Sequence, residues 1–157
     1  MTGRVGVDFG TSNTLVAVWD DARAEGLPLH VPDYGHVLAQ PDGEISVVPS
    51  LIHYDVDGRR WIGEQVLRRN LLRSRRTFRW MKRYIANRTP HRQRIDDVEI
   101  GPPDAGRAFL GSVLLTVAQE LGVHDEEIAL TVPVDAFEHY EDWLAGVAEV
   151  AGLPRFR

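Results

Sequence analysis

Residues 5–20, VGVDFGTSNTLVAVWD, decide the fold. Two runs rich in apolar and β-branched residues, Arg4 to Phe9 and Thr14 to Trp19, are typical of paired strands. The residues between them, Gly10 to Asn13, are of the types that dominate tight turns. Asp8 lies near the end of the first strand, where a buried carboxylate is costly unless something uses it. The pattern therefore predicts a β-hairpin with a functional turn.

The turn has the chemistry of a phosphate site. Its opening glycine lets a ligand approach the backbone, and successive amides in a tight turn form a concavity that binds anions. A nearby carboxylate suits hydrated Mg²⁺, which favours one or two carboxylates together with phosphates and waters. A plain hairpin, in which Asp8 is only a hydrogen-bonded turn residue, is the structural alternative. The sequence contains neither GxxxxGK[ST] nor GxGxxG, which excludes the P-loop and Rossmann routes to phosphate.

Composition restricts the remaining function classes. The chain has 157 residues, 43% of them apolar, and no cysteine. This length suits one compact domain, and the lack of cysteine excludes disulfides, thiolate zinc sites and thiol nucleophiles. The longest mostly apolar run, Ala108 to Ala118, is too short to cross a bilayer. These features predict a soluble, cytoplasmic protein with no membrane partner.

Charge is distributed unevenly along the chain. Residues 59–94 carry 12 arginines and one lysine against the single acid Glu64, whereas both flanks are acidic. Such a block can mark a nucleic-acid surface or simply a solvated helix face, and the second interpretation is favoured. Lys82 is the only lysine, which raises the question of whether its compact ammonium is specifically required.

Beyond the hairpin, the pattern predicts further strands and then helices. Residues 20–36 are interpreted as an irregular loop. Between residues 64 and 87, apolar side chains recur at helical spacing, which fits one helix or two helices broken near Ser74. Residues 88–104 are also interpreted as a loop. The expected strands are 37–40, 45–48, 51–55, 60–62 and Glu127–Val132, and the expected later helices run from Asp104 to Leu121 and from near Asp135 and Glu138 to Gly152.

The order of these elements is that of a mixed α/β domain. The sequence resembles DnaK-type heat-shock protein 70 chaperones, which are members of the actin and sugar-kinase ATPase superfamily. The resemblance begins in the first phosphate loop, VGVDFGTSNTLVAV, and continues in order along nearly the whole chain. The other similar segments are Val48-Pro49-Ser50-Leu51, RWIGEQ at 60–65, MKRYI at 81–85, Leu130-Thr131-Val132-Pro133 and VAGL at 150–153.

The resemblance implies a fold and an ATP site. The fold would be a ribonuclease H-like, actin-like ATPase core at 1–36 and 105–157, with a small inserted α+β subdomain at 37–104. Asp8 would hold Mg²⁺ through waters, Thr11 would lie beside the γ-phosphate, Lys82 would be the catalytic lysine that stabilises developing charge, and Pro133 would be the switch proline. The residues that would wrap the β- and γ-phosphates of ATP or the β-phosphate of ADP are Gly10, Thr11, Ser12 and Asn13.

The sequence also departs from the family pattern. Glu141 stands where the family has an arginine that relays nucleotide state, the segment between Lys82 and Pro133 is shorter, and the loop at 20–36 is longer. The sequence stops at Arg157, before the family's second phosphate loop and adenosine-binding lobe. We therefore expect a fragment that is inactive alone and that needs the second lobe of the ATPase domain. Co-chaperones and unfolded clients would be partners of the parent, and the exposed cleft face would favour self-association.

Two other function classes fit parts of the sequence. The first is a non-enzymatic interaction module that binds another protein through the same exposed face. The second is a ribonuclease H-like nuclease, in which Asp8 would bind catalytic metal and the block at 59–94 would bind nucleic acid. The nuclease would need further inward carboxylates, and Asp135 and Glu138 fit better as helix-start residues. Nucleic acid is therefore not expected as a partner.

Overall fold

The computed structural model describes residues 4–121, 128–135 and 138–152. Within them the chain forms strands, with two short helices in its middle and two long helices in its second half. The strands are β1 Val5–Phe9, β2 Asn13–Asp20, β3 Glu25–Pro28, β4 His36–Gln40, β5 Gly43–Pro49, β6 Ile52–Tyr54, β7 Arg60–Ile62, β8 Thr77–Phe78, β9 Gln93–Ile95, β10 Val98–Ile100 and β11 Ile128–Leu130. The helices are α1 Glu64–Arg68, α2 Met81–Ala86, α3 Pro102–Leu121 and α4 Glu138–Val150.

The main sheet has six strands and is built around the β1–β2 hairpin. Its order is β11-β1-β2-β5-β4, and β3 pairs with the far end of β2. Strand β11 runs parallel to β1, with Val5 opposite Ile128 and Val7 opposite Leu130. The other pairs in this sheet are antiparallel. Strand β11 therefore ends, and strand β2 begins, near Asp8 at the same edge of the sheet.

The middle of the chain forms two smaller units of antiparallel strands. Strands β7, β6 and β8 form a three-stranded antiparallel sheet, and β9 and β10 form a separate hairpin. The Arg76 guanidinium joins these two units, because it donates to the backbone oxygen of Tyr54 at 2.6 Å and to the Asp96 carboxylate at 2.8 and 3.0 Å. This arginine of the basic block is therefore a structural residue.

In the core, one face of the main sheet packs against α3 and α4. Phe9 of β1 contacts Phe109 of α3 and Trp143 of α4, with ring centroids 5.9 and 5.7 Å apart. Gly106 of α3 lets the helices approach, since a Cβ there would lie 2.9 Å from both Trp143 and Ile85 of α2. The Trp143 indole N–H donates to Pro103 O at 2.9 Å, which fixes α4 against the start of α3. This packing places α2 beside the β1–β2 hairpin.

The structure confirms a mixed α/β fold and most predicted strands, but two expected loops were wrong. Residues 20–36 contain β3, which pairs with β2 from Ala17 to Asp20. Residues 88–104 contain the β9–β10 hairpin, whose turn has Asp96 at φ 54°. Neither pair carries the strong apolar alternation that identifies a strand from sequence. Both are held by pairing with a neighbour.

The apolar spacing at 64–87 resolves into two short helices, not one. The chain leaves α1 through a series of turns, and Thr77 and Phe78 then pair with β6. The Thr77 hydroxyl donates to Leu71 O at 2.7 Å and lies 2.8 Å from His53 Nδ1, so a buried polar network replaces the helix. Glu127, at the start of the expected strand, and Leu153, at the end of the VAGL segment, lie outside the described residues. None of the helices in the described part is long and apolar enough to cross a membrane.

Candidate functional site

The Gly10–Asn13 turn connects β1 to β2 and requires glycine at its first position. Strand pairing continues up to Phe9 opposite Thr14, so the turn is tight. A Cβ on Gly10 would lie 2.0 Å from the Asn13 carbonyl oxygen, far inside van der Waals contact. Thr11 is half-buried, while Ser12 and Asn13 are exposed. The turn therefore presents backbone and small polar groups to solvent at the edge of the sheet.

Ser50, at the junction of β5 and β6, holds this turn in place. Its hydroxyl donates to Gly10 O at 2.9 Å, and its amide donates to Ser12 O at 2.9 Å. Because the single Ser50 hydroxyl hydrogen is used in this way, the Thr14 hydroxyl must donate to Ser50 Oγ at 3.0 Å. Both hydroxyls are buried, at 0% and 1% exposure. Ser50 belongs to the Val48-Pro49-Ser50-Leu51 segment that resembles the chaperone family, but the sequence gives no signal of this structural role.

Asp8, Lys82 and Thr131 meet at the same edge of the sheet. The Lys82 ammonium lies 3.9 Å from Asp8 Oδ1, and the Thr131 hydroxyl donates to that oxygen at 2.5 Å. The Lys82 side chain is 18% exposed, whereas Asp8 is 56% exposed and keeps its second oxygen available. Residues from β1, from α2 and from the segment after β11 thus converge. The lone lysine points at the carboxylate that the sequence singled out.

Tyr140 lies under this group in the core. Its side chain is fully buried, and its hydroxyl has no hydrogen-bond partner in the described part of the chain. Burial, and secondarily the negative charge of Asp8, raise the pKa of Tyr140, so the phenol stays protonated throughout the physiological range. Its ring contacts Trp143 at a centroid distance of 5.4 Å. Tyr140 gave no signal in the sequence beyond its place on the buried face of a helix.

Of the other predicted site residues, three belong to the turn, and Pro133 lies in the segment after β11. Thr11, Ser12 and Asn13 line a cavity of about 400 Å³ whose other walls include Ser50 and Trp80. Pro133 is half-buried and follows Thr131 by two positions. The Thr131 amide donates to Val7 O at 3.1 Å, which extends the β11 pairing toward the site.

The donor set fits magnesium bound together with a phosphate. One exposed carboxylate with neighbouring hydroxyls cannot enclose Mg²⁺ alone, but this ion normally keeps several waters and shares its coordination with phosphate oxygens. The residues described contain no group of three or more His, Asp or Glu side chains arranged to hold a metal. Asp135 and Glu138 are exposed at the start of α4. A carboxylate cluster of the nuclease type is therefore not assembled from these residues.

A likeness to a known chaperone agrees with the motifs in the sequence. No protein-family model matches the chain. The chaperone protein DnaK of Trichormus variabilis is 27% identical to it, over 98% of this chain and 24% of the DnaK sequence. The chain thus spans about a quarter of the length of that relative. The likeness supports a distant relationship to heat-shock protein 70 chaperones, in agreement with the resemblance found in the sequence motifs.

Proposed function

We propose that this chain is the first lobe of a DnaK-type nucleotide-binding domain and that it binds the phosphates of Mg·ATP. One observation carries the proposal: Lys82 lies 3.9 Å from Asp8 beside a turn in which only glycine fits at position 10. Successive backbone amides in a tight turn can bind phosphate, a nearby carboxylate suits hydrated Mg²⁺, and a lysine can stabilise charge on the phosphate. The distant similarity to DnaK along 98% of the chain supports the same assignment.

Each residue has a defined role in this proposal. Gly10, Thr11, Ser12 and Asn13 bind the β- and γ-phosphates of ATP or the β-phosphate of ADP through backbone amides and small side chains. Asp8 holds Mg²⁺ through waters, and the ion would neutralise phosphate charge. Lys82 leaves its ion pair with Asp8 to stabilise charge on the γ-phosphate. Pro133 follows Thr131 and would report nucleotide state to α4.

The proposed fold is the ribonuclease H-like, actin-like ATPase core, formed by 1–36 and 105–157, with an inserted subdomain at 37–104. The pairing of β5 with Asn13 and Thr14 of β2 would connect the two parts through backbone hydrogen bonds. Movement of the inserted subdomain would therefore act directly on the phosphate turn through Ser50. In the parent protein, such movement would couple ATP binding and hydrolysis to the binding of unfolded polypeptides and co-chaperones.

The proposal assigns only part of an ATP site to these residues. The chain corresponds to 24% of DnaK, and adenine and ribose contacts would come from a second lobe. We expect residues 1–157 alone to bind Mg·ATP weakly and to show no turnover above background, and the face toward the second lobe to favour self-association. An interaction module without ATP chemistry is the alternative, and it predicts no nucleotide binding at all.

Calorimetric titration with Mg·ATP tests the proposal. Wild type should show saturable binding that Lys82→Ala weakens by about tenfold, as expected for loss of one charged hydrogen bond. Arg83→Ala is the matched control, because Arg83 is the next residue of α2, is exposed and has no side-chain partner among the described residues. Equal affinities for wild type and Lys82→Ala would overturn the assignment of the site.

A further inference from the structure

A second cavity lies next to the phosphate turn, in the middle of the basic block. It has a volume of about 290 Å³, and its walls come from the segment between α1 and α2, from α2 itself and from the start of β9. The side chains that give it its chemistry are Arg73, Arg75, Arg79, Trp80, His91 and Gln93. Among the described residues, none that lines it is acidic. The volume is that of a small-molecule pocket, not of an extended surface.

The arginines of this cavity have no structural task that would explain them. Arg73 and Arg75 make no ion pair or hydrogen bond in the described part of the chain, and Arg79 makes only a stacking contact with Trp80 at 4.1 Å. Arg76, by contrast, is fully used in joining β6 to the β9–β10 hairpin. Three unpaired guanidinium groups around one concavity create a local field that favours a multiply charged anion.

Trp80 is held at the rim of this cavity in a strained conformation. Its backbone lies at φ 57° and ψ 28°, in the left-handed region, which is an outlier for a bulky residue. Its side chain is nevertheless 42% exposed, so burial of the ring does not repay the strain. Strain of this kind, retained at an exposed aromatic residue, is characteristic of binding sites.

We propose that this cavity binds the phosphate group of a small phosphate ester, with Arg73, Arg75 and Arg79 on the phosphate and Trp80 against the organic part. The cavity shares Leu72, Arg79 and Trp80 with the cavity lined by the phosphate turn. The two sites are therefore neighbours in one groove. This inference goes beyond the proposed function, since it requires neither Mg²⁺ nor Lys82.

Titration with adenosine 5′-monophosphate and with inorganic phosphate, in magnesium-free buffer at physiological salt, tests the inference. The variant R73Q/R75Q/R79Q should lose at least about tenfold in affinity for both probes. The control R83Q/R88Q/R92Q removes the same charge from exposed arginines outside the cavity and should change affinity by less than about twofold. Tighter binding of the nucleotide than of phosphate would assign part of the binding energy to Trp80, and equal binding would assign it to the phosphate alone.

Three results would overturn the inference. The first is no saturable binding of either probe by wild type, and the second is an equal loss in the two triple variants. The third is binding of a single-stranded oligonucleotide alone, which would make the block a nucleic-acid surface. Lys82→Ala separates this site from the phosphate turn. Binding that disappears in Lys82→Ala but survives R73Q/R75Q/R79Q would place the probe at the turn, which would refute the inference and leave the proposed function intact.

Discussion

Replacing Ser50 by alanine should destabilise the domain, because Ser50 holds the Gly10–Asn13 turn in place. The substitution removes the hydrogen bond to Gly10 O at 2.9 Å and takes the acceptor away from the Thr14 hydroxyl, which is 0% exposed. A lost hydrogen bond costs about 1 kcal/mol, and a buried hydroxyl left without a partner costs about 1–3 kcal/mol. We therefore expect the free energy of unfolding to fall by about 2–4 kcal/mol.

A double-mutant cycle with Thr14→Val isolates the cause. Thr14→Val alone removes one hydrogen bond but leaves the Ser50 hydroxyl donating to Gly10, so it should cost about 1 kcal/mol. In the double variant no hydroxyl remains unsatisfied. Its cost should therefore be smaller than the sum of the two single costs by about 1–2 kcal/mol.

The assay is urea unfolding followed by circular dichroism, with linear extrapolation to water. Ser112→Ala is the control for serine loss in general, because the Ser112 hydroxyl only donates to Ala108 O within α3 at 2.8 Å. It should change stability by less than about 0.5 kcal/mol. Additivity of the Thr14 and Ser50 effects within about 0.5 kcal/mol would refute the proposed hydrogen-bond relay.

Two further predictions concern buried polar groups. Tyr140→Phe removes a buried hydroxyl that has no partner among the described residues, so it should raise the free energy of unfolding by about 1 kcal/mol, and a decrease on urea unfolding would contradict this. Burial lowers the pKa of His53 below its usual 6.5. The unfolded chain then binds a proton that the folded chain does not, and stability should decline as pH falls below about 6.5. His53→Gln should flatten this dependence between pH 7 and pH 5, whereas the exposed His30→Gln should not.

Local signals in the sequence were enough for the hairpin and most strands. The β1–β2 pair follows from alternating apolar residues around a glycine-containing turn, and the turn residues at Asp42-Gly43 and Asp57-Gly58 separate the next strands. The buried face of α4, with Tyr140, Leu144 and Val147, follows from helical spacing. These features depend on neighbours in the chain, so composition and periodicity predict them.

Elements without apolar alternation, or with a distant partner, could not be predicted from the sequence. Strand β3 and the β9–β10 hairpin pair with neighbours in the chain but lack a strong apolar pattern, whereas residues 64–87 are broken because Thr77 joins His53 and Leu71 in a buried network. Helical spacing of apolar residues was retained there, because the same residues pack into a common core from two helices and a strand. Periodicity reports which side chains are buried more reliably than it reports which backbone carries them.

The candidate site also has features that follow from the sequence and features that only the tertiary structure supplies. The sequence by itself determined that Asp8 and the Gly10 turn lie in one hairpin, and it singled out Lys82 as the lone lysine. Only the tertiary structure brought Lys82 within 3.9 Å of Asp8, added Thr131 and placed Ser50 under the turn. The physical reason is range: a turn is specified by the conformational preferences of adjacent residues, whereas an ion pair across the sheet edge depends on how α2, α3 and α4 pack on it.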